Sequence, residues 1–419
     1  MIIIWLAALF YIVIGFLMQH YITDTTYLTF SFIIFTVIVL FFVLFINYTK
    51  FVFILFSGFI LRVMILLIDL REGETIIPHS GDDSENFYKT GIEISMNTSL
   101  LNTEVYGGLY SKFLGILFHL YGDDRLFVQF LNIIITMTAI LIVIQIFRML
   151  NIPGHIQMIL VLLLSFYPHS LIFSSILVRE SMISITVVLS LYFFVRWFKN
   201  RSTINAVLCI LAILSGASFH TAVIGILFGY LFGFIFYNHS VRTLKFSVES
   251  VVPFTVFAVI TTYIIVFPDV VSGLPIANKV DQVLDNNDNV YEAVTSARGD
   301  TAYLASMEVN NLFQLLLFSP IKVIYFITSP MPWNISKFNE LISFLLDGVF
   351  YLTALILFIK NFYLVKSRPI LAILIISIFA GWFIFGLGIS NAGTALRHRF
   401  KFFYIVIVAL GVIWSKRSK

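Results

Sequence analysis

Apolar runs of roughly 20 residues recur along the whole chain, and that is the length a helix needs to cross a bilayer. The runs fall near residues 2–19, 28–47, 51–70, 126–147, 156–176, 181–198, 203–218, 220–238, 249–267, 340–361, 369–388 and 402–415. They predict an all-α, polytopic membrane protein with about twelve transmembrane helices. The expected organisation is one integral membrane domain. It has three spans over 1–70, an outer loop with surface helices over 71–125, and six spans over 126–267. A second outer stretch follows over 268–339, then three spans and a basic tail over 340–419. The first run lacks a Lys/Arg-rich start and ends Met18-Gln19-His20, so it reads as an uncleaved helix rather than a signal peptide.

Basic residues set the orientation. Lys50, Arg148, Arg196, Lys199, Arg201, Arg242, Lys245, Lys360, Lys366, Arg368, Lys416, Arg417 and Lys419 collect on alternating connections, accompanied by one acid, Glu249. That side reads as cytoplasmic. The connection 71–125 carries nine acids and four basic residues, and 268–310 carries seven and two, so both face outward. A further apolar stretch, 311–328, tests the assignment. If it crossed, Lys360, Lys366 and Arg368 would move outside with the tail. Pro320, Lys322 and Pro330 also make it a poor lipid-exposed span. It is expected to be re-entrant or interfacial, which leaves both termini cytoplasmic in the plasma membrane.

Composition narrows the function. At 60% apolar, 17% aromatic and 11% charged, the chain cannot close a polar surface over one water-exposed core. The lone cysteine, Cys209, excludes a disulfide framework or a thiolate metal centre built from this chain alone. A net charge of +4 comes from 26 basic and 22 acidic residues, without the basic, aromatic-interleaved block of a nucleic-acid groove. There is no phosphate-binding Gly-rich loop of the kind a nucleotide-driven pump uses. Two outward turns are unusual: Phe166-Tyr167-Pro168-His169-Ser170, and Ser215-Gly216-Ala217-Ser218-Phe219-His220, which joins two spans almost without a loop. Broken backbone at membrane depth is tolerated only where protein or a wet cavity covers it, so an outward-opening cavity is expected.

Candidate chemistry lies on that outer side. His79-Ser80-Gly81-Asp82-Asp83-Ser84-Glu85-Asn86-Phe87-Tyr88 places three carboxylates within four residues. They repel one another unless a cation, a metal or a proton offsets them, which leaves the cofactor open. One of them is placed to act as general base on a hydroxyl. The plain alternative is a solvated loop capping a short helix, with Asp83 or Ser84 at its N-cap. Residues 84–96 and 107–121 read as surface helices, the second with Leu109, Phe113, Leu117 and Leu120 along one face. Arg179-Glu180 sits where one span ends and the next begins. Its guanidinium is placed either to grip a phosphate or to pair with Glu180. Arg397-His398-Arg399 runs against the positive-inside trend and asks for an anionic partner, a ligand phosphate or a carboxylate. Arg62 lies mid-span, where a charge costs roughly 2.5–3.5 kcal/mol on insertion scales, and its partner is not visible in the sequence. His169 and His220 read first as buried, hydrogen-bonded histidines, and no paired-histidine metal motif is present.

The order of these features resembles the GT-C class of membrane glycosyltransferases, which includes protein mannosyltransferases and aminoarabinose transferases. The resemblance rests on the acidic first loop before Tyr88, the Gly122-Asp123-Asp124-Arg125 entry to the next span, and the Tyr167-Pro168-His169 break before Arg179-Glu180. It rests also on Ser329-Pro330-Met331-Pro332-Trp333 and on Arg397-His398-Arg399. It covers residues 75 to 415 with short, degenerate motifs, and the C-terminal outer domain of larger relatives is missing. The resemblance implies a sugar donor carried on a polyprenyl phosphate, and a glycan, lipid-linked or protein acceptor. It implies Asp82, Asp83 and Glu85 at the catalytic position, Arg179, Arg397 and Arg399 on phosphate, and Tyr88, His169, Glu180, His220, Trp333 and His398 lining the cavity. A polysaccharide polymerase of the O-antigen or capsule type is the alternative enzyme. A flippase for lipid-linked sugars is the alternative of another class, and the inverted repeats it calls for are not seen.

Overall fold

The computed structural model describes residues 1–18, 21, 24–71, 77–246, 251, 255, 301–304, 307 and 312–417, and these are almost wholly helical. The expected span at 249–267, save residues 251 and 255, and the expected outer loop over 268–300 lie outside the described residues. Six helices are long and apolar enough to cross a bilayer: Thr26–Asn47, Thr49–Asp69, Arg125–Met149, Glu180–Asn200, Phe338–Lys360 and Pro369–Gly388. Gly154–Phe166 and Pro168–Ser175 make one more, broken by a 45° bend. The runs expected at 2–19, 203–218, 220–238 and 402–415 appear as shorter apolar helices. The architecture is that of a multi-pass helical membrane protein.

The chain divides into two compact units, Met1–Arg148 with Pro153–Ile185, and Met149–Ile152 with Thr186–Lys419. The first is built from α1 (Ile2–Met18), α2 (Thr26–Asn47), α3 (Val52–Asp69), α4 (Asp82–Met96), α5 (Leu109–Tyr121), α6 (Arg125–Met149), α7 (Gly154–Phe166), α8 (Pro168–Ser175) and the start of α9 (Glu180–Asn200). α4 and α5 pack side by side in the same direction, and their close approach needs glycine. A Cβ on Gly91 would meet Phe118 at 2.9 Å and Leu114 at 3.0 Å, and one on Gly115 would overlap Ile94. That contact turns Tyr110, Leu114, Leu117, Phe118 and Tyr121 inward. Of the apolar stripe read from the sequence, Leu117 is buried and Phe113 and Leu120 are half-buried. Leu109 is exposed, because the packing follows the glycines and the two tyrosines rather than the aliphatic count.

The break between α7 and α8 explains Arg62. Pro168 has no N–H, so the carbonyl of Leu164 loses its helical donor, and Ser165 beside it is at the fracture. Arg62 on α3 supplies the missing donors. Its guanidinium reaches the Ser165 carbonyl at 2.8 Å, the Leu164 carbonyl at 3.3 Å, and the hydroxyls of Ser170 at 2.9 Å and Ser174 at 3.1 Å. It also takes its own Gly58 carbonyl at 2.9 Å, while Ser175 Oγ donates to the Arg62 carbonyl at 2.9 Å. Gly58 admits this geometry, since a Cβ there would press on Ser165 at 3.0 Å. The charge in mid-span thus pins both halves of a fractured helix. Below the fracture, Asn132 of α6 donates to the carbonyls of Ile176 at 3.2 Å and Val178 at 3.4 Å, fixing the turn that carries Arg179.

The second unit contains α10 (Thr203–Phe219), α11 (Gly225–Phe236), a two-residue hairpin pairing Tyr237 with Leu244, α12 (Leu312–Thr328), α13 (Phe338–Lys360), α14 (Pro369–Gly388), α15 (Ala392–Phe400) and α16 (Phe403–Arg417). α10 ends at Phe219, and a single 3₁₀ turn, Thr221–Ile224, leads into α11, as the loopless junction implied. α11 lies hard against α14, and a Cβ on Gly229 would overlap Ser377. Residues 301–303 join this unit by an antiparallel bridge between Ala302 and Asn391, with Ala392 N–H bonded to the Thr301 carbonyl at 2.9 Å.

Candidate functional site

In the first unit the chemistry gathers at α4. The helix starts at Asp82 with Gly81 as N-cap and no side-chain cap, earlier than the Asp83 or Ser84 cap expected from the sequence. The reason is that both side chains are engaged elsewhere. Asp83 accepts from the Tyr106 hydroxyl, and Ser84 Oγ accepts from Arg125 Nη2 at 3.2 Å. Acids in the first turn also suit the positive end of the helix dipole. The Asp82 side chain lies outside the described residues.

Two faces of α4 do different things. On one, Asp83 and Phe87 are one turn apart, and the guanidinium of Arg179 sits 5.9 Å from the Phe87 ring centroid. Phe87 is buried against Tyr110 at 5.1 Å. Glu180, buried, opens α9 immediately after Arg179, an acid at a helix N-terminus. On the other face, Glu85 Oε1 pairs with Arg125 Nη1 at 2.6 Å. Arg125 Nη2 also lies 3.6 Å from Asp69, whose side chain is almost fully buried at the end of α3. Asp69 accepts from Ser80 Oγ and from Gln129 Nε2, the latter at 2.6 Å. Glu85 is thus tied into a carboxylate–guanidinium–carboxylate chain joining α3, α4 and α6. Tyr88, one turn from Glu85, donates to Asp123 at 2.6 Å. Burial and then Asp123 push its phenol above the usual range, which keeps it a donor. Burial likewise raises Asp124 against its bonds from Thr29 and Phe127.

His169, buried on α8, lies 5.7 Å from the Tyr167 ring and 5.6 Å from Phe173. In the second unit, His220 and His398 rings are 4.7 Å apart and both face Phe385, at 5.1 and 4.9 Å. Lys401 Nζ contacts His398 Nδ1. Arg397 is half-buried on α15. Arg399 is fully buried. It pairs with Asp347 and donates to the carbonyls of Phe326 at 2.8 Å and Ser329 at 2.6 Å. Trp333 is 70% exposed, its Nε1 donating to Tyr325 at 3.1 Å.

Asp69, Gln129 and Asp347 were missed from the sequence. Each is a polar residue inside or at the end of an apolar run, and an intramembrane acid asks for a named partner by default. Asp347 was therefore findable, as the partner that Arg399 demanded. Asp69 looked like an ordinary span end. Among the described residues no group of three His, Cys, Asp or Glu is placed to hold a metal ion. Comparison of the chain with family models, with curated proteins and with solved structures finds no match.

Proposed function

We propose that the protein is a membrane glycosyltransferase, moving a sugar from a polyprenyl-phosphate-linked donor to an acceptor on the outer face of the membrane, in surface-polysaccharide or cell-envelope glycan assembly. The observation that carries this reading is that α4 presents a carboxylate, Asp83, one turn before Phe87, the ring over which the Arg179 guanidinium sits at 5.9 Å. A hydroxyl acceptor losing its proton to a carboxylate attacks the anomeric carbon, and negative charge grows on the leaving phosphate. A guanidinium already in place stabilises that charge most. Glu85, committed to Arg125, serves to orient α4, and the basic role falls to Asp82 and Asp83. Tyr106, which donates to Asp83, orients the carboxylate.

The test is transfer from a polyprenyl-phosphate sugar by purified protein in nanodiscs. Asp83→Asn and Asp82→Asn keep size and most hydrogen bonding while removing basicity, so the variant at the true base should turn over about 10²–10⁴-fold more slowly. Arg179→Lys keeps the charge but loses the planar fork, and about 10²–10³ in rate should go with it. Full activity in the double Asn variant removes the acids from the mechanism. Bilayer translocation of the lipid-linked sugar without transfer would favour the transporter.

The same reading places twelve crossings with both termini cytoplasmic. Supporting it, the Ala302–Asn391 bridge puts the segments before α12 and after α14 on one side. α13 and α14 account for two crossings between them, so α12 enters and leaves on the same side. Single cysteines at Asn287 and Asn391 should both be labelled from outside, against a low background because Cys209 is buried. Labelling from opposite sides would make α12 a span.

A further inference from the structure

The second unit holds a pocket that the α4 chemistry does not use. It is a small recess, open to solvent, where residues 301–303 cross the turn between α12 and α13. Its polar lining comes from Thr301, Tyr303, Ser329, Asn334 and Glu340, and Met331 adds an apolar wall. Glu340 is held by its Oε2, which accepts from the backbone N–H of Ser336 at 2.7 Å and of Lys337 at 3.2 Å. Its other oxygen carries none of these bonds. Tyr303 is buried and its hydroxyl donates to the Ile389 carbonyl at 3.0 Å, so it closes the pocket as a fixed wall.

An aromatic row leads from this pocket to the surface. Tyr303 lies 5.4 Å from Tyr325, and Tyr325 lies 6.4 Å from Trp333. Trp333 is one residue from Asn334, and its indole N–H is spent on Tyr325. What it offers outward is therefore the apolar ring. An anchoring tryptophan at the headgroup level keeps its N–H for the wet side, which is not the arrangement here. An exposed aromatic face beside a few fixed carboxylate, amide and hydroxyl groups matches a ligand that is apolar on one face and hydroxylated at its rim. A pyranose ring has that form.

We propose that the Tyr325–Trp333 platform and the adjoining pocket form a carbohydrate subsite taking one uncharged pyranose unit, its C–H face on Trp333 and its hydroxyls toward Glu340 and Asn334. The inference goes beyond the transferase reading, because binding here needs no turnover and involves no residue of α4. The subsite recognises the ring whether it arrives free or on a lipid carrier.

The experiment is saturation-transfer NMR of full-length protein in nanodiscs with methyl glycosides of glucose, galactose and N-acetylglucosamine as probes. At least one should bind saturably, with the strongest transfer to its ring C–H protons. Trp333→Ala should weaken that binding about tenfold, near the upper worth of an aromatic contact. Glu340→Gln keeps an acceptor for Ser336 and Lys337, so the turn survives while affinity for the sugar hydroxyls falls several-fold. Asp83→Asn should leave binding unchanged, which separates this subsite from the transfer chemistry. Displacement of the glycoside by a farnesyl-phosphate-linked sugar of the same kind would assign the site to a lipid-borne unit, and failure to displace it to a free glycan. The proposal is overturned if no probe binds, or if Trp333→Ala and Glu340→Gln both bind as the parent does. It is equally overturned if Trp333→Ala changes only quenching by brominated lipid, the mark of an interfacial anchor.

Discussion

Replacing Arg62 by methionine is expected to be among the most destabilising single changes in the protein. Methionine fills much of the same volume but donates nothing. The carbonyls of Leu164 and Ser165 would then face a buried environment at the point where Pro168 has already removed a helical donor. A buried acceptor left unmade costs roughly 1–3 kcal/mol, and that loss falls on Ser165, while Leu164 keeps only a long bond from Ser170 Oγ at 3.4 Å. Arg62→Lys should lie between, because an ammonium reaches one or two of the five acceptors but cannot span the fracture as a planar fork does. Thermal unfolding in detergent, followed by size-exclusion of the soluble fraction, measures the effect. A methionine variant as stable as the parent would mean the carbonyls find water, and that the guanidinium is held for another purpose. The turn carrying Arg179 should loosen with it, so under the transferase proposal a surviving methionine variant should also show reduced transfer.

Much of the fold was legible in the apolar runs, since a helix that must satisfy its own backbone in lipid announces itself by length. The breaks were legible as well: Pro168 and the Ser215–His220 junction mark where α7 and α10 end. What the sequence concealed is pairing across distance. Nothing near Arg62 names Leu164 or Ser165, and nothing near Asp69 names Gln129 or Arg125. Which face of α5 packs inside the protein was hidden for a related reason. A helix with apolar residues on two sides presents the side its neighbour can reach, and Gly91 and Gly115 decide that reach. The α4 acids were found by their density along the chain. Their division into Glu85 against Arg125 and Asp83 toward Tyr106 follows from helical angle, which spacing alone did not separate.

The second large effect concerns Arg399 and Asp347, and it decides what Arg399 is for. Both side chains are fully buried, and Arg399 also rests 5.6 Å from the Tyr351 ring. Removing one partner strands the other charge in the bundle. Asp347→Asn should therefore cost about 3–5 kcal/mol, seen as a sharply lowered unfolding temperature and poor accumulation in membranes. Joint replacement by apolar side chains of similar size, Asp347→Leu with Arg399→Met, removes both charges together. Such swaps are often neutral or stabilising by about 1–4 kcal/mol, so the double variant should recover most of the loss. Its activity then separates two roles that the sequence left side by side. If Arg399 serves as an internal ion pair, the recovered double variant keeps close to the parent rate in the proposed transfer assay. If it grips donor phosphate, the double variant is stable but slowed by about 10²–10³. The buried geometry, with donors already spent on Phe326, Ser329 and Asp347, favours the first outcome. Strong slowing in a stable double variant would return Arg399 to the phosphate site.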